Sequence, residues 1–294
     1  MAIVAPGDGP RPAGAPPLGA RAILITGCSS GIGADAAATL RARGWRVLAT
    51  CRAAADCARL TREGFESFPL DLASEESIAA AVAETGERLG RAPDALFNNG
   101  AFAIPGAVED LPRAALREIF EVNLFGQADL TNRLLPGMRA RGAGRIVMNS
   151  SVLGLVAAPW RGAYVASKFA LEGLTDTLRL ELRGSGITVS LIEPGPIRTP
   201  FRAKSIPRFE RHVDWRASPH AAAYEATLLR RLYAAEPGRD RFELQPAAVT
   251  ATLLRALESR RPAARYTVTT PARAAAVLRR VLTTALLDRV LGGR

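Results

Sequence analysis

The stretch AILITGCSSGIG, residues 22–33, decides the fold of this chain of 294 residues. Its first half is an apolar run of strand length, and an amphipathic helix pattern begins within the glycine-rich turn that follows. Glycines at this spacing permit a tight turn, close approach of the backbone to a pyrophosphate, and a helix N-terminus whose dipole favours phosphates. A plain turn is the alternative, but the order strand, turn, helix favours nucleotide binding. The residues expected at the phosphates are Gly27, Ser29, Ser30, Gly31, Ile32 and Gly33.

Short apolar runs alternate with helix-length amphipathic segments as far as residue 192. Strands are predicted over 22–26, 45–50, 65–68, 95–97, 145–149 and 187–192, and helices over 32–43, 74–89, 114–141 and 163–183. This alternation indicates right-handed βαβ crossovers and a parallel sheet. We therefore expect the α/β class, with a single Rossmann-type, doubly wound parallel sheet of about seven strands and helices on both faces.

The alternation stops after residue 200. A loop or short helices are predicted over 201–219, helices over 221–235 and 246–260, a strand over 266–269, and a last helix from 272 to about 290. The first residues are rich in Pro, Gly and Ala and predict a disordered tail over 1–20. The remainder, 21–294, is expected to be one domain, with a substrate-loop and helical region over 200–260 and a C-terminal amphipathic helix over 271–291.

Charge and composition restrict the classes of function. A net charge of +11 can indicate nucleic acid, but the arginines are scattered and no nucleic-acid motif occurs, so no such partner is expected. Two histidines, and three cysteines without metal-ligand spacing, predict no metal site and a reducing compartment. Neither a signal peptide nor a run of about 18–20 apolar residues occurs, which predicts a cytoplasmic protein.

Lysine is nearly absent, since Lys168 and Lys204 are the only two among 39 basic residues. Lys168 follows Tyr164 by one helical turn, which would bring a compact ammonium close to a phenol. An opposite charge within about 4–6 Å typically lowers such a pKa by about 1–3 units, making Tyr164 a proton donor and acceptor near neutral pH. The alternative is a chance pair on a helix face, and the rest of the sequence must decide between the two.

The end of the second strand indicates which nucleotide would bind. NAD requires an acidic residue there for the ribose 2′-hydroxyl, but the sequence is Thr50-Cys51-Arg52, with no carboxylate until Asp56. A carboxylate would repel a 2′-phosphate, whereas the guanidinium of Arg52 would bind it through forked hydrogen bonds. The predicted cofactor is therefore NADP(H) in preference to NAD(H).

Several spaced motifs occur in a fixed order between residues 22 and 201. They are TGCSSGIG at 26–33, Asp71-Leu72, NNGA at 98–101, Asn123, Ser150-Ser151, Tyr164 with Lys168, and PGPIRT at 194–199. With these motifs the chain resembles the short-chain dehydrogenase/reductases, and within them the bacterial NADP-dependent aldehyde reductases and relatives of 17β-hydroxysteroid and retinol dehydrogenases. The sequence NNGA departs from the family's usual Asn-Asn-Ala-Gly but keeps both small residues.

The resemblance implies roles for particular residues. Tyr164 would exchange a proton with the substrate oxygen, and Ser151 would hydrogen-bond that oxygen, with Ser150 as the alternative. Lys168 would lower the pKa of the tyrosine and bind the nicotinamide ribose. Asn123 would interrupt its helix and hold a water that links Lys168 to solvent. The further cofactor contacts that the resemblance implies are Asp71 and Leu72 at the adenine, Asn98 and Gly100 at the adenosine ribose, and Pro194, Gly195, Ile197 and Thr199 around the nicotinamide.

Large apolar side chains expected around the pocket mouth predict a hydrophobic aldehyde or ketone, or a retinoid- or steroid-like alcohol, as the small-molecule substrate. They are Phe102, Leu153, Trp160, Phe201, Phe209 and Trp215, any of which is alternatively a core residue. The resemblance also implies a homodimer or homotetramer. Two rival interpretations stay open: an idle NADP(H)-binding regulatory protein, and a membrane-surface-associated dehydrogenase whose last helix, apolar on one stripe, lies on anionic lipid.

Overall fold

The computed structural model describes residues 20–234 and 240–291. Its strands are β1 (Ala22–Ile25), β2 (Arg46–Cys51), β3 (Glu66–Pro69), β4 (Ala95–Asn98), β5 (Gly144–Asn149), β6 (Ile187–Pro194) and β7 (Arg265–Val268). They form one sheet in the order β3-β2-β1-β4-β5-β6-β7, and every neighbouring pair is parallel. The predicted α/β class and seven-stranded, doubly wound sheet are confirmed, while all but the last residue of the predicted tail over 1–20 lies outside the described residues.

The centre of the sheet is the pair of neighbouring strands β1 and β4. Ile25 of β1 is in register with Ala49 of β2 on one side and with Phe97 of β4 on the other. Every residue of β1 and β4 is buried, as expected for strands covered by helices on both faces. Because the strand order reverses between β1 and β4, the crevice at their carboxyl ends is the topological switch point, where doubly wound sheets bind ligands.

The helices cover both faces of the sheet. They are α1 (Gly31–Ala42), α2 (Ala54–Arg62), α3 (Glu75–Leu89), α4 (Arg113–Phe120), α5 (Gly126–Arg141), α6 (Gly162–Glu181), α7 (Ile206–His212), α8 (Ala221–Ala223), α9 (Arg230–Leu232), α10 (Ala247–Glu258), α11 (Thr270–Val281) and α12 (Thr284–Leu291). Leu40 of α1 and Leu253 of α10 belong to the apolar cluster on one face, and Leu134 of α5 and Leu171 of α6 to the cluster on the other. Helix α2 was not predicted, because it is only nine residues long and buries only Cys57 and Leu60.

The single helix predicted over 114–141 is instead two helices, α4 and α5, joined by a π-helical turn at Glu121–Phe125. A π-helical turn accommodates an extra residue in the helix and often occurs at functional sites. Asn123 lies in this turn and is fully buried. Gly126 follows the turn at a point where a Cβ atom would overlap the carbonyl oxygen of Leu72. The close approach of the two backbones therefore requires glycine at 126.

The last helix predicted from 272 to about 290 is also two helices, α11 and α12. Leu282 takes an extended conformation (φ −93°, ψ 146°), and Thr283 stands at the N-cap position of α12, which threonine favours. The predicted apolar stripe is therefore broken, although Val277 and Val281 remain exposed. No helix within residues 20–234 and 240–291 is both long enough and apolar enough to cross a membrane.

Replacing Gly126 by alanine should destabilise the fold. The new Cβ would lie 2.7 Å from the carbonyl carbon of Leu72, so the backbone must shift, and we expect the free energy of unfolding to fall by about 1–3 kcal/mol. The matched control is Gly86→Ala in α3, where no atom lies within 4 Å of the new Cβ. Since alanine is the better helix former, the control should be stabilised by up to about 1 kcal/mol. Urea denaturation measures both, and equal effects would contradict the explanation.

Candidate active site

The glycine-rich turn between β1 and α1 forms a cradle that leaves little room for side chains at its glycine positions. Gly27 and Gly31 have positive φ angles of 74° and 57°, which favour glycine. A Cβ on Gly27 would lie 2.9 Å from the Cα of Gly100, and one on Gly33 would overlap the carbonyl oxygen of Gly27. Ser30 is the N-cap of α1, and its side chain makes no capping hydrogen bond. A cradle of bare backbone at a helix N-terminus fits the pyrophosphate of a dinucleotide.

Hydrogen bonds join the turn to the ends of β4 and β5. The Thr26 hydroxyl accepts from the backbone N–H groups of Asn99 (2.9 Å) and Gly100 (2.8 Å). The Asn99 amide donates to the Thr26 carbonyl at 2.9 Å and accepts from the side chain of Asn149, also at 2.9 Å. A Cβ on Gly100 would lie 3.2 Å from the Leu72 side chain, so the small residue kept in NNGA has a steric reason. These bonds fix the floor of the cradle.

The side chain of Asn98 points away from the crevice, so a contact with the adenosine ribose through its backbone stays a prediction. Its side chain is fully buried and donates to Thr131 Oγ1 at 2.9 Å and to Met148 Sδ at 3.1 Å, inside the apolar layer. Asn98 is the last residue of β4, so the alternation of side chains turns Asn98 into the core and Asn99 towards the turn. Asn99, which was not among the predicted site residues, is the one whose side chain bonds to the glycine-rich turn. That alternation was the signal that would have distinguished the two.

Ser151 and Tyr164 face each other beside the carboxyl end of β5. Ser151 follows the strand by two residues, and its hydroxyl accepts from the Leu153 N–H at 3.1 Å. Tyr164 lies in the first turn of α6, half-buried, and its ring packs edge-on against Phe201 with centroids 5.6 Å apart. Burial raises the pKa of the Tyr164 phenol to about 12, and a hydrogen bond with the Ser151 side chain opposes that rise. The phenol is therefore protonated at neutral pH.

Ser150, the alternative to Ser151, points to the other side of the chain. A Cβ built on Gly154 would lie 2.7 Å from Ser150 Oγ and 3.0 Å from Cγ of Glu172, so the Ser150 hydroxyl lies near Glu172 beneath Gly154. Because consecutive side chains in an extended segment point to opposite faces, only one of the two serines can face Tyr164. That residue is Ser151.

Lys168 lies beneath Tyr164 and is almost completely buried, with 1% of its surface exposed. Its ammonium donates to the backbone carbonyl of Asn149 at 2.7 Å and lies 5.7 Å from the centre of the Tyr164 ring. Burial lowers the pKa of Lys168 to about 8, although the negative charge of Glu172, one turn further along α6, opposes the shift. Lys168 is therefore still mostly charged at pH 7.

The expectation that Lys168 lowers the pKa of Tyr164 is not met by these residues alone. The pKa of the phenol is raised, because its loss of solvent outweighs every favourable contact. The Lys168 ammonium is directed at the Asn149 carbonyl rather than at the phenol oxygen. The pair is correctly located by the sequence, but the direction of the pKa shift is the opposite of the predicted one.

Asn123 holds two other parts of the site together. Its side-chain oxygen accepts from the Phe102 N–H at 3.1 Å, and its amide donates to the Phe102 carbonyl at 2.9 Å and to Ser167 Oγ at 3.1 Å. It thereby joins the segment after β4 to helix α6, between Tyr164 and Lys168. The expected interruption of its helix is the π-helical turn. A water held there stays a prediction.

The remaining cofactor candidates lie around the crevice. Asp71 follows β3, where its carboxylate accepts from the Ala73 N–H at 3.0 Å, and Leu72 is buried. Arg52 is exposed directly after β2. Burial is the main cause of the lowered pKa of Arg208, and the positive charge of Arg52 lowers it further. The segment after β6 reaches the glycine-rich turn, since a Cβ on Gly31 would lie 3.0 Å from Thr199 Cγ2. The other candidates of that segment are Pro194, which ends β6, and Gly195 and Ile197, which are half-buried.

An apolar wall adjoins Tyr164 on the side of the late helices. Phe102, Trp160 and Trp215 belong to the same apolar cluster as the Tyr164 ring, whereas Leu153 lies next to Ser151. Phe209 is fully buried behind this wall, so it is a core residue and not an open pocket residue. Tyr224, which the sequence analysis did not single out, packs against Trp160 at 4.8 Å and against Phe209 at 6.1 Å. Trp160 also has a positive φ of 63°.

No group of three or more potential metal ligands occurs among residues 20–234 and 240–291. The polar groups brought together beside the phosphate cradle are the hydroxyl of Ser151, the phenol of Tyr164 and the ammonium of Lys168.

Comparison with known proteins identifies the family. Residues 21–208, more than half of the chain, match the profile described as short chain dehydrogenase. The chain belongs to the short-chain dehydrogenase family. Its members are oxidoreductases that interconvert alcohols and carbonyls and use NAD or NADP. The family suggested by the motifs is confirmed.

The chain is similar to individual members of the short-chain dehydrogenase family over different shares of their length. The uncharacterized oxidoreductase YbbO of Escherichia coli (strain K12) is 50% identical over 181 residues, which are 62% of this chain and 67% of that protein. Human retinol dehydrogenase 8 is 37% identical over 194 residues, 63% of this chain but only 61% of that protein. The solved structure of a short-chain dehydrogenase from Streptomyces avermitilis superposes with a TM-score of 0.73 at 30% identity, covering 92% of this chain and 93% of that one.

The buried Lys168 should make stability depend on pH. In the unfolded chain its pKa is about 10.4, so between about pH 8 and pH 10 Lys168 binds fewer protons in the folded state, and its own contribution makes the free energy of unfolding rise with pH. The buried thiols of Cys28 and Cys51, whose pKa values burial raises, contribute in the opposite sense to the wild type and the variant alike. For Lys168→Met we expect that rise to be lost, a difference of up to about 1.4 kcal/mol per pH unit. Above pH 10 the raised pKa of Tyr164 makes the free energy of unfolding fall with pH, so the denaturation series should end at pH 10. An unchanged pH slope in the variant would contradict the lowered pKa.

Proposed function

We propose that the protein is an NADP(H)-dependent carbonyl reductase that converts a hydrophobic aldehyde or ketone into its alcohol, reversibly. The observation that carries this proposal is the convergence of Ser151, Tyr164 and Lys168 beside the glycine-rich cradle. Bound there, the reduced nicotinamide would supply the hydride. The chain's own residues would supply orientation and a proton.

The phenol of Tyr164 is the proposed proton donor. With a pKa near 12 it holds its proton at neutral pH and can give it to a carbonyl oxygen as negative charge develops there. The Ser151 hydroxyl, on the same side, would hydrogen-bond that oxygen and orient it. The Lys168 ammonium, 5.7 Å from the phenol ring centre, would stabilise the phenolate left behind. At pH 7 the phenol is thus in the protonation state that carbonyl reduction requires.

The proposed preference for NADP(H) rests on Arg52. Its guanidinium is exposed after β2, at the strand end where NAD-binding proteins have a carboxylate. Ser29 and Ser30 of the glycine-rich turn are half-buried, and their hydroxyls add hydrogen-bond donors for phosphate oxygens. Fixed positive charge and hydroxyl donors fit a 2′-phosphate better than a neutral ribose hydroxyl.

The proposed substrate is hydrophobic because the surface beside Tyr164 is apolar. Phe201 contacts the phenol ring, and Trp160 and Trp215 extend the same cluster. The name of the human relative, retinol dehydrogenase 8, indicates a substrate of this kind in that protein. We extend the chemical class, a large apolar aldehyde or ketone, to this chain.

Tyr164→Phe should abolish turnover. Removing the hydroxyl removes the proton donor, and a positioned acid typically contributes about 10²–10⁴-fold to the rate. Since the ring remains, NADPH should bind with nearly unchanged affinity. NADPH consumption across a panel of aldehydes and ketones measures turnover, and quenching of protein fluorescence measures binding.

The matched control for this variant is Tyr233→Phe, which removes an exposed hydroxyl bonded to Glu210. The control should retain full activity. A Tyr164→Phe protein as active as the wild type would refute the assignment. A wild-type protein that binds NADPH but consumes none with any carbonyl would instead favour an idle, NADP(H)-binding regulatory protein.

Arg52→Ala should reduce the preference for NADPH. We expect wild-type kcat/KM to be higher with NADPH than with NADH, and the variant to lose about five- to tenfold with NADPH while NADH is nearly unaffected, because only NADPH has the 2′-phosphate. Arg62→Ala removes the same charge at the far end of α2 and should change neither value. Equal kcat/KM for both cofactors in the wild type would exclude the role given to Arg52.

A further inference from the structure

The second lysine of the chain, Lys204, contacts the glycine-rich turn. Its ammonium donates to Ser30 Oγ at 2.6 Å and to Ser29 Oγ at 3.1 Å, across a sequence separation of 174 and 175 residues. Both partners are neutral hydroxyls, so neither neutralises the positive charge. Lys204 itself is exposed to solvent. Both lysines of this arginine-rich chain therefore lie at the candidate site.

The backbone around Lys204 holds it in this position. It lies in the 3₁₀ turn Ala203–Ser205, where its N–H donates to the Pro200 carbonyl at 3.0 Å. The Ser205 hydroxyl donates to the Arg202 carbonyl at 2.6 Å and closes the turn. Just upstream, Thr199 packs against Gly31. The segment after β6 therefore forms a hydrogen-bonded loop against the glycine-rich turn, and the ammonium of Lys204 contacts that turn.

The contacts of Lys204 prepare the two hydroxyls for an anion. An ammonium has only donors, so it occupies a lone pair on each serine oxygen and leaves the hydroxyl hydrogen to be donated elsewhere. Arg59 approaches the same turn from α2, donating to the Ser29 carbonyl at 3.0 Å. Arg59 is itself paired with Glu63 at 2.9 Å and with Asp56 at 3.6 Å, so the positive charge at this turn comes mainly from Lys204. That ammonium and two serine hydroxyls lie at the N-terminus of α1, whose dipole also favours negative charge.

We propose that Lys204 binds a phosphate of the dinucleotide, so that cofactor binding fastens the loop after β6 over the glycine-rich turn. The proposal rests on the proposed function, because it assumes a dinucleotide at this turn. Lys204 would act as a compact point charge shared between Ser29, Ser30 and a phosphate oxygen. A guanidinium is broader and forked, and it fits two neighbouring serine hydroxyls less closely.

The test compares Lys204→Met with a matched variant of the same loop, Arg202→Met. The Arg202→Met variant removes the same charge two residues away. In the wild type the Arg202 guanidinium donates to the Arg231 carbonyl at 2.8 Å and not to the glycine-rich turn. The dissociation constants of NADPH and NADH are measured for the full chain by fluorescence quenching, at low and at high salt. We expect Lys204→Met to weaken NADPH binding about tenfold at low salt and less at high salt, where exposed charges are screened, and Arg202→Met to change it less than twofold.

The two cofactors distinguish which phosphate is bound. Equal weakening of NADPH and NADH assigns Lys204 to the pyrophosphate, and weakening of NADPH alone assigns it to the 2′-phosphate; both results support the proposal. Lys204→Arg, which keeps the charge, should recover part of the loss. Unchanged dissociation constants in Lys204→Met, or equal losses in Lys204→Met and Arg202→Met, would overturn it. A wild-type protein that binds neither cofactor would refute the proposed function itself.

Discussion

The hydrogen bond from the buried Lys168 ammonium to the Asn149 carbonyl determines the geometry of the candidate site. A charge removed from water is costly unless it is hydrogen-bonded, so this bond fixes helix α6 against the carboxyl end of β5. Tyr164 lies one turn before Lys168 and Ser151 lies two residues after Asn149, so the same bond sets their separation. Orientation of the phenol and the hydroxyl follows from how one strand ends beside one helix.

Asn149 also connects this arrangement to the phosphate cradle. Its carbonyl accepts from Lys168, while its side-chain amide donates to Asn99, which in turn donates to the Thr26 carbonyl. A continuous series of hydrogen bonds therefore joins the ammonium beneath the phenol to the start of the glycine-rich turn. Since Thr26, Asn99 and Asn149 lie at the carboxyl ends of β1, β4 and β5, the series crosses the switch point of the sheet. The relative position of proton donor and cofactor cradle is thus fixed by three side chains, two of which bond to backbone carbonyls.

The sequence was informative wherever a role depends on local spacing. The strands, the glycine-rich turn and the pairing of Tyr164 with Lys168 all follow from residues close together in the chain. It was uninformative where distant residues decide: Phe209 is core because Tyr224 packs against it, and Gly126 is required because Leu72 approaches it. Burial itself was the hardest quantity to foresee. The pKa of the phenol rises rather than falls because desolvation depends on the whole surrounding fold.

The use of lysine at two positions of an arginine-rich chain has a physical explanation at each. At position 168 the cation is buried, and an ammonium, unlike a guanidinium, can lose its proton when desolvated; its pKa near 8 reflects that adaptability. At position 204 the cation is exposed, so deprotonation offers no advantage, and size is the deciding property. Two adjacent serine oxygens 2.6 and 3.1 Å from one nitrogen suit a tetrahedral donor. Composition alone could not separate these reasons, because one depends on burial and the other on a contact between the glycine-rich turn and the loop after β6.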